Sequence, residues 1–122
     1  MLPLMLRDEI PDLKPWGGPE KLGGETLEGD VQIFGKTIFG EGRGQLSGGW
    51  FSASRGRYRL IYPFHEHGTL AEGELVLTNE KTGETVAYRP GDSWLIEKGE
   101  QIVWDVKSER AVKHYLVSFQ EL

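Results

Sequence analysis

The densest group of reactive side chains in this 122-residue sequence is His65-Glu66-His67, with Glu72 five residues beyond the second histidine. Imidazole nitrogens and carboxylate oxygens in such a string suit a divalent first-row metal, with coordination positions left open for a substrate. A second group is Lys113-His114-Tyr115. An ammonium and a phenol set against a carboxylate such as Glu66 inside an apolar fold would read a ligand or move a proton. Both charges would be costly to bury unless they pair or contact that ligand. Other chemistries fall away. There is no cysteine, which excludes disulfides, thiolate metal sites and cysteine nucleophiles. No Gly-x-Ser-x-Gly elbow occurs. The Gly-x-Gly-x-Gly run at 40–44 has no helix behind it, so it is no nucleotide loop.

The elements that must position these groups are strands. Seventeen glycines, with four Trp, four Tyr and five Phe, indicate many turns joining aromatic-rich strands. From Arg57 to Tyr62 the chain alternates. Glu74–Thr78 and Thr85–Arg89 flank the hairpin turn Asn79-Glu80-Lys81-Thr82-Gly83, and Pro90-Gly91-Asp92 stops the second. Then come Ser93–Glu97, a Lys98-Gly99 turn, Ile102–Val106 and Val112–Phe119. Short strands at this spacing predict an all-β sandwich or barrel. Residues 48–122 form the barrel domain on this reading. Residues 1–47, with prolines at 3, 11, 15 and 19, form an extended arm packed on it, carrying short strands at Met1–Leu6 and Val31–Phe39. A net charge of −5 argues against nucleic acid as a partner. Nothing approaches a transmembrane length, and the MLPLML opening lacks a basic leader, so the expectation is a cytoplasmic protein.

Alternation also assigns faces. Tyr58, Leu60, Tyr62, Phe64, Glu66, Gly68 and Leu70 share one face, apolar but for a single carboxylate. The opposite face carries Arg57, Arg59, His65 and His67 and reads as solvent-facing, although a slip at Pro63 would swap the two. Aromatic and β-branched content assigns Ile102, Trp104 and Val106 to the inner face of their strand, and Lys113, Tyr115, Val117 and Phe119 to that of theirs. Glu66, Lys113 and Tyr115 would then meet in a cavity walled by Tyr62, Trp104 and Trp94. This set serves either as a ligand site or as a structural ion pair.

Leu70-Ala71-Glu72-Gly73, Pro90-Gly91-Asp92-Ser93 and Ile96-Glu97-Lys98-Gly99 follow in an order that resembles the cupin superfamily. Gly73 and Gly91 stand eighteen residues apart, as that family's first turn and its Gly-Asp do, and Glu97 replaces the usual proline of the next turn. Gly49-Trp50, Gly56, Tyr62-Pro63-Phe64, Glu66, Trp104 and Lys113-His114-Tyr115 narrow the resemblance. They are similar to the cupins grouped with (S)-ureidoglycine aminohydrolase and the ethanolamine-utilisation Q protein. The resemblance covers about residues 48–119 and implies a cupin-type jelly-roll barrel, often paired into a homodimer.

Most metal-using cupins hold their ion with two histidines and a glutamate from the first motif and a histidine from the second. Matched literally, His65, His67 and Glu72 would be ligands. Counted back from Gly73, the ligand glutamate is Glu66, and the histidines fall at Arg59 and Ile61. In both registers the second-motif histidine is replaced by Ile102. The expectation is therefore a small-molecule-binding cupin without a metal or other cofactor, its ligand met by Tyr62, Glu66, Trp104, Lys113 and Tyr115. Its catalytic form would be a minor enzyme of amine, amide or other small-metabolite catabolism. Two alternatives stand beside it: a metal-dependent enzyme with a rearranged His65/Glu66/His67 site, and a non-catalytic dimeric assembly subunit.

Overall fold

In the computed structural model, residues 1–40 and 45–120 are described, so all but Gly40 of the Gly-x-Gly-x-Gly run lies outside the described residues. The strands are β1 (Lys14–Gly17), β2 (Glu25–Glu28), β3 (Ile33–Phe39), β4 (Leu46–Ile61), β5 (His65–Glu72), β6 (Leu75–Asn79), β7 (Thr85–Tyr88), β8 (Ser93–Ile96) and β9 (Gln101–Ser118), with a 3-10 turn at Pro19–Leu22 between β1 and β2. Two of them organise the rest. β4 and β9 are antiparallel along most of their length, and each contributes to two wings of sheet. In the first wing the order is β1-β3-β4-β9-β5-β8. In the second, β2 pairs with the latter half of β4, while the first half of β9 pairs with β6, which pairs with β7.

The change from one wing to the other falls at a register shift between Ser54 and Gly56. Gly56 has φ 143°, and a Cβ there would lie 2.6 Å from the Glu28 carbonyl oxygen, so a side chain cannot occupy the bend. On β9 the bend is held by Ser108, whose Oγ accepts from the Glu74 N–H (2.9 Å) and donates to the Arg110 carbonyl (2.7 Å). The wings face each other across one core that includes Phe51, Tyr58, Leu70, Leu77, Trp94 and Trp104. The chain is all-β, as strand spacing predicts, and adopts the jelly-roll architecture that the cupin resemblance implies.

Three local expectations need correction. Ile102–Val106 and Val112–Phe119 are not separate strands, because the polar run Lys107–Arg110 stays extended through the bend instead of turning back. Met1–Leu6 is not a strand: it is exposed, and Pro3 removes one of the donors a ladder would need. Val103, on the face opposite Trp104, is nevertheless buried at 5% exposure. The Asn79–Gly83 turn closes as its residues predict, the Gly83 N–H donating to the Asn79 carbonyl at 2.8 Å. The Asn79 side chain accepts from the Lys81 and Thr82 N–H groups.

Candidate functional site

Glu66 lies on β5 with its side chain on the inner face, and the next inward position is Gly68. That glycine makes room. Trp94 of β8 sits opposite it in register, and a Cβ on Gly68 would lie 2.5 Å from the indole. The ring therefore lies over the glycine, and Trp94 Nε1 donates to Glu66 Oε2 at 2.9 Å. The Tyr62 hydroxyl donates to the same oxygen at 3.0 Å and accepts from Trp104 Nε1 at 3.1 Å. Glu66 Oε1 takes a hydrogen bond from Lys113 Nζ. Three donors thus converge on a carboxylate that is 2% exposed. A buried carboxylate needs such a set to remain charged.

Lys113 comes from the latter half of β9, opposite Phe51 of β4 and Leu70 of β5. Its Nζ lies 4.6 Å from the Phe51 ring centre, 4.7 Å from that of Trp104 and 5.5 Å from that of Tyr115. Aromatic faces at this range attract an ammonium, and the more so in a desolvated setting. Trp104 is fixed in turn by Tyr58 stacked on it (5.7 Å) and by Phe51 and Trp94 edge-on (5.5 and 5.9 Å). Burial pulls the Lys113 ammonium below the usual lysine range, and the Glu66 charge and hydrogen bond oppose that pull. Burial, followed by the Glu66 charge, pushes the Tyr58 and Tyr62 phenols well above 10. The Tyr115 phenol is also raised by burial, with a hydrogen bond to Thr37 acting against the shift.

This polar group borders open space. A cavity of about 240 Å³ is lined on its buried side by Phe51, Tyr58, Leu60, Tyr62, Glu66, Lys113 and Val117. Tyr115 and Ser47 also line it, and Trp16, Leu22, Pro63, Phe64 and Phe119 form its more exposed wall. Phe64 packs edge-on between Tyr62 (5.7 Å) and Phe119 (5.2 Å). Trp16 reaches the cavity because β3 carries Gly35, where a Cβ would stand 2.2 Å from the indole.

The structure brings Tyr62, Glu66, Lys113 and Tyr115 together around this space, on the inner face that strand alternation predicts, whereas Trp104 stands behind them against Tyr62 and Lys113 and does not line it. Sequence reasoning missed the Trp94 hydrogen bond and the contributions of Phe51, Tyr58 and Trp16. Gly68 and Gly35, glycines inside strands, were the available signals, since such positions often mark a close approach by another group. The rearranged His65/Glu66/His67 centre does not form, because alternation on one strand sends both histidines to the face opposite Glu66. His65 Nδ1 accepts the Lys98 N–H at 3.1 Å, and His67 is exposed. Glu72 is no ligand in the literal register either: its carboxylate pairs with Arg110 (2.6 Å). Arg59, where the other register would place a histidine, binds Glu25 at 3.0 Å and Glu80 at 2.8 Å. Its hydrogen bonds hold the Glu80 carboxyl at about 2.

The sequence model of the EutQ-like cupin domain matches residues 40–115. The chain belongs to the EutQ-like cupins. Among solved structures, EutQ of Clostridium difficile superposes with a TM-score of 0.62 at 20% identity, covering 72% of this chain and 68% of that one. The ethanolamine utilization protein Q of Salmonella typhimurium LT2 gives 0.56 at 21% identity over 74% and 69%. A protein of unknown function from Pseudomonas syringae pv. tomato gives 0.77 at 21% identity, covering 91% of this chain. The present chain spans about half of that protein, 46% of its length. At these identities the likeness is one of fold. None of the curated proteins matches the sequence.

The divalent ion implied by the cupin fold does not fit the donor set of this EutQ-like cupin. Glu66 has an ammonium, a phenol and an indole for partners where histidines would be needed, and its two oxygens already take three hydrogen bonds. Among the described residues no group of three His, Asp or Glu is placed to hold a metal ion. Nor, among the same residues, is any helix long and apolar enough to cross a membrane.

Proposed function

We propose that this cupin binds a small, uncharged, largely apolar organic molecule carrying a hydrogen-bond-accepting oxygen, held over the Glu66–Lys113 pair without a metal. The observation that carries this reading is that the pair lines an open cavity when it could have been packed over. A space of about 240 Å³ exceeds the ~150 Å³ that admits benzene, and falls short of the ~300 Å³ at which drug-sized sites begin. Glu66 and Lys113 neutralise each other, so a charged ligand would bring an uncompensated charge into low dielectric. Glu66 is already hydrogen-bonded by three donors, whereas the ammonium has two further N–H groups and Tyr115 a hydroxyl, which favours a ligand that accepts. Of the amines, amides and other small metabolites expected from the sequence, amides are within this class and protonated amines are not.

Calorimetry against a panel of small carbonyl compounds, alcohols and amides, each with a charged analogue, tests the proposal. The uncharged compounds should bind and the charged ones should not, and Lys113→Met should abolish binding. Preference for the charged analogues, or no binding across the panel, would refute it.

Association with a second copy has its own support. Phe39, Gly48, Leu116, His67 and Leu95 lie opposite one another in register across β3, β4, β9, β5 and β8. They form one outward row, with Phe39 47%, Leu116 46% and Leu95 80% exposed. Such a row, its apolar side chains flanking His67 and bordered by the apolar Met1, Leu2 and Leu4, suits a self-complementary two-fold contact, and we propose a homodimer through it.

A further inference from the structure

We propose that Lys113 Nζ is a nucleophile that forms a reversible iminium with a small aldehyde or ketone held in the cavity. The chemistry presupposes the cavity binding proposed above and adds a covalent step to it. Nucleophilic lysines need an apolar, desolvated surrounding and a nearby group to take the ammonium proton. Lys113 has both. It is 5% exposed, its Nζ lies over the Phe51 and Trp104 rings, and Glu66 Oε1 is in direct hydrogen-bond contact. The same side chain borders the space a ligand would occupy.

The steps balance without a co-reactant. Lys113 passes a proton to Glu66, leaving a neutral amine beside a carboxylic acid. The amine lone pair attacks the carbonyl carbon, forming the C–N bond and moving the C=O π electrons to oxygen. A proton shifts from nitrogen to that oxygen and gives the carbinolamine. Glu66 then returns its proton to the hydroxyl, the C–O bond breaks, water leaves and the nitrogen lone pair closes C=N. The sum is ammonium plus carbonyl giving iminium plus water, with Glu66 a carboxylate at both ends.

Electrostatics favour this outcome over other adducts. An iminium keeps the single positive charge that Glu66 already balances and that the aromatic faces already attract. Acylation would remove that charge and strand the buried carboxylate, so aldehydes and ketones fit while acyl donors do not. Burial lowers the affinity of Lys113 for its proton, which raises the share of reactive amine.

Reductive trapping tests the inference on the unmodified protein. The chain is incubated separately with butanal and cyclohexanone in the presence of sodium cyanoborohydride, then analysed by intact mass and peptide mapping. One adduct per chain is expected, on Lys113, at least ten-fold above the exposed Lys107 beside Asp105. Accessibility alone predicts the reverse, so labelling of surface lysines with Lys113 unmodified would overturn the inference. Calorimetry with the same carbonyls and with butanol and cyclohexanol, without reductant, separates the two proposals. Binding without trapping at Lys113 leaves the cavity reading standing and removes the iminium. No binding and no trapping removes both. Lys113→Arg keeps a cation for Glu66 and should lose the adduct. The labelling pattern of the parent protein decides the matter even where that variant fails to fold.

Discussion

Removing one partner of the Glu66–Lys113 pair should cost far more stability than the surface ion pairs of the same chain. In Lys113→Met the carboxylate loses its charged donor and keeps the Tyr62 and Trp94 hydrogen bonds. Breaking a buried pair this way typically costs about 3–5 kcal/mol. Because two neutral donors remain and the cavity side of the pair can admit water, the lower end, about 3 kcal/mol, is expected. Glu66→Gln should cost a similar amount by leaving the ammonium without its anion among aromatic rings. The assay is urea unfolding of the parent, both single variants and the double variant. With a slope of about 2 kcal/mol/M, a loss of 3 kcal/mol lowers the midpoint by about 1.5 M. The double variant has no orphaned charge, so its loss should fall short of the summed singles by about 1–3 kcal/mol. Additivity within about 0.5 kcal/mol would mean that the two side chains do not meet in solution. The inner-face assignment would then fail with it.

Other outcomes follow from the same geometry. Gly68→Ala drives a methyl into the Trp94 indole and should destabilise by about 1–3 kcal/mol, with the near-ultraviolet dichroism of the tryptophans altered. Unchanged spectra and stability would show that the indole does not rest on the glycine. Burial holds Lys113 below its ordinary 10.5 in the native chain, so the unfolded chain binds the additional proton in the window beneath 10.5. Unfolding free energy should therefore rise with pH through that window, and Lys113→Met should flatten the rise. Above 10 the sign reverses, because native Tyr58 and Tyr62 hold protons that the unfolded chain releases. Absorbance titration should show these two phenols ionising only on unfolding. Sedimentation should give a dimer, and Leu95→Glu with Leu116→Glu should yield monomer. A dimer that survives both changes does not use this face.

Most of the site was legible because β strands impose a period of two. From Tyr58 to Leu70 the inward set keeps its phase even though β4 ends at Ile61 and β5 begins only at His65. Tyr62 is buried and Phe64 half-buried on the same side, and Pro63 introduces no slip. That phase is what puts Glu66 inside and both histidines on the opposite face, where His67 is exposed and His65 is half-buried rather than solvent-facing. What escaped sequence reasoning depends on partners far away along the chain. The hydrogen bond from Trp94 to Glu66 requires β8 to pair with β5 in the register that sets an indole over Gly68. Trp16 reaches the cavity only because β1 pairs with β3 near Gly35. The run Lys107–Arg110 looks like a turn in composition. Its extended course is fixed by Ser108 and by the Lys107 N–H donating to the Glu74 carbonyl, contacts that no local pattern encodes.

Cupins that use metals surround an ion with a glutamate and histidines, and this chain surrounds its glutamate with an ammonium, a phenol and an indole. The exchange changes what the cavity can do. A divalent ion polarises a bound oxygen by direct coordination. The Lys113 ammonium donates hydrogen bonds and, once deprotonated, offers a lone pair. It also carries one charge where an ion carries two, so a single carboxylate neutralises it and no further acid or histidine is required. Arginine, isoleucine and isoleucine at 59, 61 and 102 are consistent with that lower demand. Arg59 faces outward to Glu25 and Glu80, Ile61 is exposed, and Ile102 is 4% exposed in the core. None of the three is available to a metal at Glu66. A single substitution toward histidine at any one of them therefore should not create metal binding while Lys113 remains on the carboxylate.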